Sequence, residues 1–388
     1  MKRNTFSALF GRAALLAALC FSGILAQGGQ SLISQDRQVV IAPLYQSWSG
    51  DDLALSQFST AFYGYSPLSR NSSLSLQFYQ GATQNGEDLT LQGQELADPS
   101  GISDLHLLGN YYLNDMETLL GVGMSLPVGN STLEVPEFRT VVQMSNDLLG
   151  FDVPVFGQGF NFTASAGWVH AFSPAVVGGL GAGFDLKGAF DLIKDIESEY
   201  NPGNEFSLTG GLDFVLNPVS SISTDILLTF YGRDEFRGNE IYQSGKKIQI
   251  SGEFRQYLGF DELAVGASFR SKAKGNLVLG DLEREEGKKS TPNQFELSGE
   301  YRRRFSPTLS MQFLLESRFF QEGVDFPGGM LYGLGLQPLF KLNERFSIPV
   351  RGAFRFATFS TPADGTTYAQ GTANLSGWEI GAGMQIGL

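Results

Sequence analysis

Apolar and polar residues alternate with a period of two along most of this chain, from Gln38 to Leu388. The segment QFELSGEYR at 294–302 shows the pattern clearly, with aromatic and aliphatic residues at every second position and charged or small residues between them. Successive side chains of a strand point to opposite faces, so each such segment has one apolar face and one polar face. No helices are predicted that could cover so many apolar faces, and lipid is their natural cover.

Composition narrows the fold class further. Charged residues make up 17% of the chain, below the roughly 25% of ordinary soluble domains, and aromatic residues at 12% argue against disorder. The 48 glycines show no period of three, which excludes a collagen. Beyond the N-terminus no apolar run approaches the 18 residues of a membrane-spanning helix. We therefore predict an all-β fold, a transmembrane antiparallel up-and-down β-barrel.

The N-terminus has the features of a secretory signal peptide. Three basic residues, Lys2, Arg3 and Arg12, accompany a short apolar segment, and the preferred cleavage site follows Ala26. The single cysteine, Cys20, would leave with this peptide, so no thiol chemistry is expected. About ten residues then precede the first strand, too few for a globular hatch. The predicted division is a signal peptide at 1–26, a short periplasmic segment at 27–37 and the barrel at 38–388.

Short and long connections alternate along the chain, which is typical of bacterial outer-membrane barrels with short periplasmic turns and long external loops. Seven short turns join fourteen strands, and the segments 38–49 and 377–388 raise the predicted number of strands to 16, with 14 as the alternative. The predicted turns are Ser66-Pro67, Asn114-Asp115, Ser173-Pro174, Asn217-Pro218, 259–261, Ser306-Pro307 and Asn343-Glu344.

The final segment and the net charge predict partners. Alternation continues from Trp378 to Leu388 and resembles the C-terminal signal by which the barrel-assembly machinery recognises its substrates, with Leu388 where an aromatic residue is usual. The formal net charge of −13 argues against nucleic acid and suits acidic external loops that hold divalent cations against lipopolysaccharide. Expected partners are outer-membrane lipid and lipopolysaccharide, the barrel-assembly machinery and a small-molecule solute.

Charged residues in polar register predict a charged lumen. One interpretation is a selective lining, in which a basic patch faces an acidic wall formed by Asp213 and Asp225; the patch consists of Arg302, Arg304, Arg318, Arg351 and Arg355. The alternative is that these charges neutralise one another. The predicted pore-lining residues are Arg255, Arg270, Arg302, Arg304, Arg318, Arg351, Arg355, Asp213, Asp225, Glu253, Glu296, Glu300 and Glu316, with Lys272 and Glu379 in the same register.

Aromatic residues in apolar register, close to predicted strand ends, predict an interfacial girdle. They are Trp168, Phe172, Tyr301, Phe305 and Trp378. The two histidines offer little chemistry. His170 lies within this aromatic register, and His106 shares a face with Asp104 without a serine placed to serve as nucleophile. We expect no catalytic activity, no metal site and no cofactor.

Two external loops are distinctive. The carboxylates of the acidic loop 191–205 are of the kind that binds calcium, but the loop lacks EF-hand spacing, so a solvated external loop is favoured. A short helix is expected over 190–200. The loop 128–156 is unusually apolar for an external loop. We expect it to fold inward or over the barrel mouth and to offer an apolar docking site, the alternative being packing on neighbouring loops.

Residues 58–188 resemble a family of outer-membrane barrels associated with the meta-pathway of phenol degradation, distant relatives of the fatty acid and aromatic hydrocarbon channels. The resemblance rests on short motifs: Phe62-Tyr63-Gly64-Tyr65-Ser66-Pro67, Leu74-Ser75-Leu76, Ser100-Gly101-Ile102-Ser103-Asp104-Leu105, Tyr111-Tyr112-Leu113 and Leu126-Pro127-Val128-Gly129. Ser103 stands where the family usually has a second glycine. The resemblance implies passive uptake of small apolar or aromatic molecules. Alternatives are a general diffusion porin with a charged lumen, a structural or adhesive barrel and, least favoured, a barrel enzyme using His106.

Overall fold

The structure is a computed structural model that describes residues 37–50, 53–86, 90–91, 94–113, 117–280, 282–321, 323, 328–361 and 371–388. The predicted signal peptide, residues 27–36 of the predicted periplasmic segment and the predicted Asn114-Asp115 turn lie outside these residues.

Sixteen wall strands form a closed antiparallel barrel, which confirms the predicted fold and the larger of the two predicted strand counts. Each strand pairs with its neighbours in the chain, and β16 pairs with β1 to close the ring. The wall strands are β1 Gln38–Gly50, β2 Ala54–Ser69, β3 Ser72–Asn85, β4 Ser100–Ile102 with Leu105–Leu113, β5 Thr118–Leu126, β6 Asn161–Ser173, β7 Val176–Lys187, β8 Glu205–Asn217, β9 Ser220–Tyr231, β10 Lys247–Leu258, β11 Asp261–Lys272, β12 Gln294–Arg304, β13 Leu309–Phe320, β14 Gly329–Lys341, β15 Phe346–Thr361 and β16 Gly371–Ala382 with Met384–Gly387.

The outer face of the barrel is apolar, and charged side chains point inward. On β15, Phe354 and Phe356 are 41% and 54% exposed, whereas Arg355 between them is only 8% exposed. This is the reverse of a soluble protein and is the arrangement that a lipid-facing wall requires. In the described part of the chain no helix is long and apolar enough to cross a membrane.

One predicted turn is wrong. The strand β2 continues through Ser66-Pro67 to Ser69, and the turn lies at Arg70 and Asn71 instead. Pro67 pairs with Ser73, and the register shifts directly after it. Proline cannot donate to the ladder, but it is tolerated near a strand end beside such an irregularity.

Three long loops extend the wall into a second, external sheet. Its six short strands are Phe190–Asp191, Glu199–Asn201, Arg233–Phe236, Asn239–Gln243, Asn276–Leu279 and Leu282–Glu285. The helix predicted over 190–200 is therefore wrong. The two ends of that segment pair with each other as strands, and Asp195 adopts a φ of 60° in the turn between them. Tertiary pairing with the neighbouring loop overrides the local helical preference.

The loop between β5 and β6, residues 127–160, contains α1 (Val135–Met144) and is called the plug loop below. Its helix begins with a capping box, in which the side chains of Glu134 and Glu137 each accept a hydrogen bond from the backbone of the other residue. Thr140, Val141 and Met144 are buried on one side of α1.

Candidate functional site

The plug loop lies inside the barrel. Trp48 Nε1 on β1 donates a hydrogen bond to Leu149 O (2.8 Å). On β2, Gln57 Nε2 donates to Val153 O (2.8 Å), and Gln57 Oε1 accepts from Val153 N (3.1 Å). On the other side of the ring, the Arg270 side chain on β11 forms an ion pair with Asp147. A single loop can reach strands so far apart in a closed ring only from within, so it occupies the lumen.

Apolar packing secures the plug loop at the external end of the lumen. Its residues form a buried cluster with strands β1, β2 and β13 to β16. The members are Trp48, Leu55, Met144, Leu148, Leu149, Phe151, Phe320, Leu331, Ala357 and Leu375. A buried aliphatic or aromatic side chain contributes about 1.5–3 kcal/mol, so the cluster favours the inserted position strongly. Gly377 makes room for it, because a Cβ there would lie 2.6 Å from Trp48 Cδ2.

Asp104 holds both ends of the plug loop. Its carboxylate is 4% exposed and accepts hydrogen bonds from Gly129 N (3.0 Å) and Gln158 N (2.7 Å). The two ends approach closely: a Cβ on Gly129 would lie 2.4 Å from Phe156 O. Two of the motifs that carry the family resemblance therefore meet here, and together they form the base of the plug loop.

An ion-pair network lies on the inner wall, on the short-turn side of the buried apolar cluster. Arg355 on β15 binds Glu316 on β13 and Glu379 on β16, the second through Nη1 and Oε2 at 2.6 Å. Arg351 also binds Glu379. Arg318 binds Glu316 (Nη2 to Oε2, 3.1 Å) and lies 3.7 Å from Glu296 (Nε to Oε2). Every arginine in this network has a carboxylate partner.

The plug loop reaches this network through Gln46 and Asp152. Gln46 Nε2 donates to Gly150 O (3.1 Å), and Gln46 Oε1 accepts from Asp152 N (2.9 Å). Burial raises the pKa of the Asp152 carboxyl to about 6, against the opposing effect of Arg351 and with support from the negative charge of Glu379. The lower surface of the plug is thus sensitive to charge.

A second network crosses β10, β11 and β12. Arg255 binds Glu253 and Glu262, both at 2.7 Å, and Arg302 Nη1 lies 3.2 Å from Glu262 Oε2. Gln312 donates to Glu300 (2.6 Å) on the next pair of strands. Four of the five arginines expected to form a basic patch, Arg302, Arg318, Arg351 and Arg355, are thus ion-paired.

Three further predicted lumen residues take no part in the ion pairs described above. Arg304 is exposed at the end of β12. Asp213 and Asp225 lie on the adjacent strands β8 and β9, next to Glu253 on β10. The paired arginines correspond to the alternative of mutual neutralisation, whereas Asp213, Asp225 and Glu253 place three carboxylates on adjacent strands. The role of these residues in lining a conducting pore remains a prediction.

Of the predicted girdle residues, Trp168, Phe172, Phe305 and Trp378 are exposed on the outer face. Tyr301 is partly buried, and its hydroxyl donates to Asp261 (2.8 Å). Trp378 lies near the middle of β16 and packs on Tyr45 with ring centroids 5.0 Å apart, which places it away from the strand ends. An interfacial position remains a prediction for the other four girdle residues.

The histidines are placed as follows. His170 stacks on Trp168 and lies 3.2 Å from Glu117 (Nδ1 to Oε1). His106 pairs with Gln77 across the ladder, while the Asp104 carboxylate binds the plug loop. Among the described residues no group of three or more His, Cys, Asp or Glu side chains could hold a metal ion.

Sequence reasoning missed the polar residues that bind the plug loop. In the sequence, Gln46, Gln57 and Thr83 look like ordinary polar-register residues, and Asp104 stands out only as a member of a short motif and as a neighbour of His106. The available signal is the register of three of them: Gln46, Gln57 and Thr83 lie on inward positions near the external ends of β1, β2 and β3, where an apolar loop must enter.

No protein-family model matches the chain, and no curated protein matches it. The resemblance to the phenol meta-pathway barrels therefore has no matching family model.

Several solved structures of outer-membrane channels are similar in fold. The COG4313 outer membrane channel from Pseudomonas putida F1 shares 14% identity and a TM-score of 0.38, with 70% of this chain and 95% of that chain covered. The TodX deltaS2S3 mutant monoaromatic hydrocarbon channel shares 8% identity and a TM-score of 0.46, with 96% of this chain and 92% of that chain covered. Pseudomonas putida OprB shares 10% identity and a TM-score of 0.48, with 92% of this chain and 97% of that chain covered. Such distant similarity concerns the barrel architecture alone.

Proposed function

We propose that this chain is an outer-membrane channel for the passive passage of small aromatic or apolar solutes, with the plug loop controlling the external end of its lumen. The observation that carries the proposal is the plug loop itself, bound through Asp104, Gln57 and Trp48 inside a barrel with a lipid-facing surface. Sixteen strands enclose a lumen wide enough for an aqueous channel unless something fills it. A filled lumen favours selective passage over general diffusion.

The charge pattern supports the same choice. Lumen charges of one sign without partners would make a channel ion-selective, whereas Arg355, Arg318 and Arg255 each bind carboxylates in the wall. Paired charges create a weak transverse field, which imposes little electrostatic cost on a neutral or aromatic solute.

Proteoliposome influx tests the proposal. The probes are benzenesulfonate, which is aromatic and crosses lipid poorly, and glucose. We expect benzenesulfonate influx to saturate and to exceed glucose influx, and deletion of residues 135–150 to change the aromatic flux. Equal, non-saturating influx of both probes would instead identify a general diffusion porin.

The external sheet favours a second candidate, a barrel whose loops bind a partner at the cell surface. Three loops build it, and Leu279 and Leu282 at one hairpin tip are 72% and 73% exposed. A folded barrel that admits neither probe, with or without residues 135–150, would favour this candidate.

A further inference from the structure

A stripe of tyrosine side chains lines the lumen on β2, β3 and β4. Tyr63 and Tyr65 on β2 share the inward register of Gln57, because the pairing of β2 with β1 and β3 is regular from Leu55 to Pro67. Tyr79 on β3 shares the register of Thr83, whose hydroxyl donates to Met144 Sδ in the plug loop (3.3 Å). These three tyrosines therefore face the same lumen as the plug loop.

Tyr112 extends the stripe onto β4. His106 pairs with Gln77, and alternation from His106 places Tyr112 inward while its neighbour Tyr111, 49% exposed, faces outward. Tyr63, Tyr65 and Tyr112 are close enough to influence one another electrostatically. The strand between them contributes the small residue Ser75, which pairs with Tyr65.

The stripe runs from the lower surface of the plug loop toward the short-turn end. Tyr79 is at the top, close to Asp152, and its hydroxyl accepts a hydrogen bond from Gln77. Tyr63 and Tyr65 follow in chain order down β2. Among the described residues, the hydroxyls of Tyr63 and Tyr65 make no hydrogen bond to protein, so both can bind a solute or water.

The wall opposite the stripe is charged. In a ring of sixteen strands, β10 to β12 stand eight positions away from β2 to β4. They carry the network of Arg255, Glu262 and Arg302. A solute bound at the stripe therefore faces a charged wall across the lumen.

We infer that the tyrosine stripe is a binding site for aromatic rings that carry a polar substituent, such as a phenolic hydroxyl. This inference rests on the proposed function and specifies its solute class. A tyrosine ring offers a face for stacking, and its hydroxyl offers a donor and an acceptor. On β2 and β3 the outward-facing rings are phenylalanines, for example Phe62 stacked on Phe78 with centroids 4.6 Å apart, whereas the inward-facing rings carry hydroxyls.

The test uses lipid-impermeant probes in proteoliposomes containing the full barrel. Three probes share a sulfonate: 4-hydroxybenzenesulfonate has an aromatic ring and a hydroxyl, benzenesulfonate has an aromatic ring without a hydroxyl, and cyclohexanesulfonate has neither. Glucose tests sugar recognition. The half-saturating concentration of each influx is measured for the native chain, for Tyr63→Phe with Tyr65→Phe, and for Tyr63→Leu with Tyr65→Leu. Tyr111→Leu, on the outer face, is the matched control.

The Phe pair should raise the half-saturating concentration of the hydroxylated probe about two- to tenfold while leaving benzenesulfonate unchanged, because one ordinary hydrogen bond is lost. The Leu pair should raise the half-saturating concentrations of both aromatic probes, and the control variant should change neither. Saturable aromatic influx that both pairs leave unchanged would overturn the assignment of the stripe as a binding site, while the proposed function stands. Glucose influx impaired as strongly as aromatic influx would overturn it in favour of a sugar site. Absence of influx in the native chain and in the chain without residues 135–150 would refute the proposed function instead.

Discussion

Replacing Asp104 by alanine should release the plug loop. The carboxylate accepts two backbone hydrogen bonds, one at each end of the loop, and is 4% exposed. A hydrogen bond to a charged group contributes about 1.5–3 kcal/mol, so the loss of two weakens the closed arrangement by about 3–6 kcal/mol. The ratio of open to closed channels should then rise about 10²- to 10⁴-fold, since each 1.4 kcal/mol is about a factor of ten.

Single-channel recording in planar bilayers measures this ratio. Asp104→Asn should have an intermediate effect, because its amide oxygen can still accept from one of the two N–H groups. Ser103→Ala is the matched control: the Ser103 hydroxyl accepts a hydrogen bond from Tyr79 N (2.8 Å) and donates one to Asp104 O (3.1 Å), neither of which involves a plug-loop residue. An Asp104→Ala barrel that folds, as shown by heat-modifiable migration in gels, and opens no more often than the control would refute the reasoning.

Three further predictions concern the same lumen. The pKa of Asp152 is about 6 when the plug loop is inserted, so closure takes up a proton; openings should be rarer at pH 4.5 than at pH 7.5, and Asp152→Asn should remove the difference in recorded open time. Arg302→Ala with Arg355→Ala removes two positive charges from the lumen and leaves Glu262, Glu316 and Glu379 with one arginine partner fewer each, so it should shift the reversal potential in a salt gradient toward cation selectivity; an unchanged potential would contradict this. Gly129→Ala forces a Cβ to within 2.4 Å of Phe156 O and should weaken closure by about 1–3 kcal/mol, measured as open time, whereas Gly287→Ala, with no atom within 4 Å, should have no effect.

The barrel could be predicted from the sequence because a lipid-facing wall repeats one signal, an apolar residue at every second position. The 16 strands follow from that signal together with the turn residues. Where a residue type usually found in turns occurs within a strand, as at Pro67, the prediction fails, because pairing with β3 determines where the strand ends.

The site was less predictable because its contacts join residues far apart in the chain. Gln57 and Val153 are separated by 96 positions, and nothing near either residue marks the contact. Arg355 was predicted as a lumen residue from its register, but its partners lie on two other strands. The sequence indicates which face a charge occupies, whereas the pairing register determines whether that charge is neutralised.

The central claim is that this barrel is a channel whose external end is closed by the plug loop. Single-channel currents of the native chain and of a chain lacking residues 131–155 test it most directly, because Gly129 and Gly157 lie in contact and their ends can be joined. The account predicts rare, small steps from the native chain and large, steady steps from the deletion. Large, steady steps from the native chain, unchanged by the deletion, would contradict it.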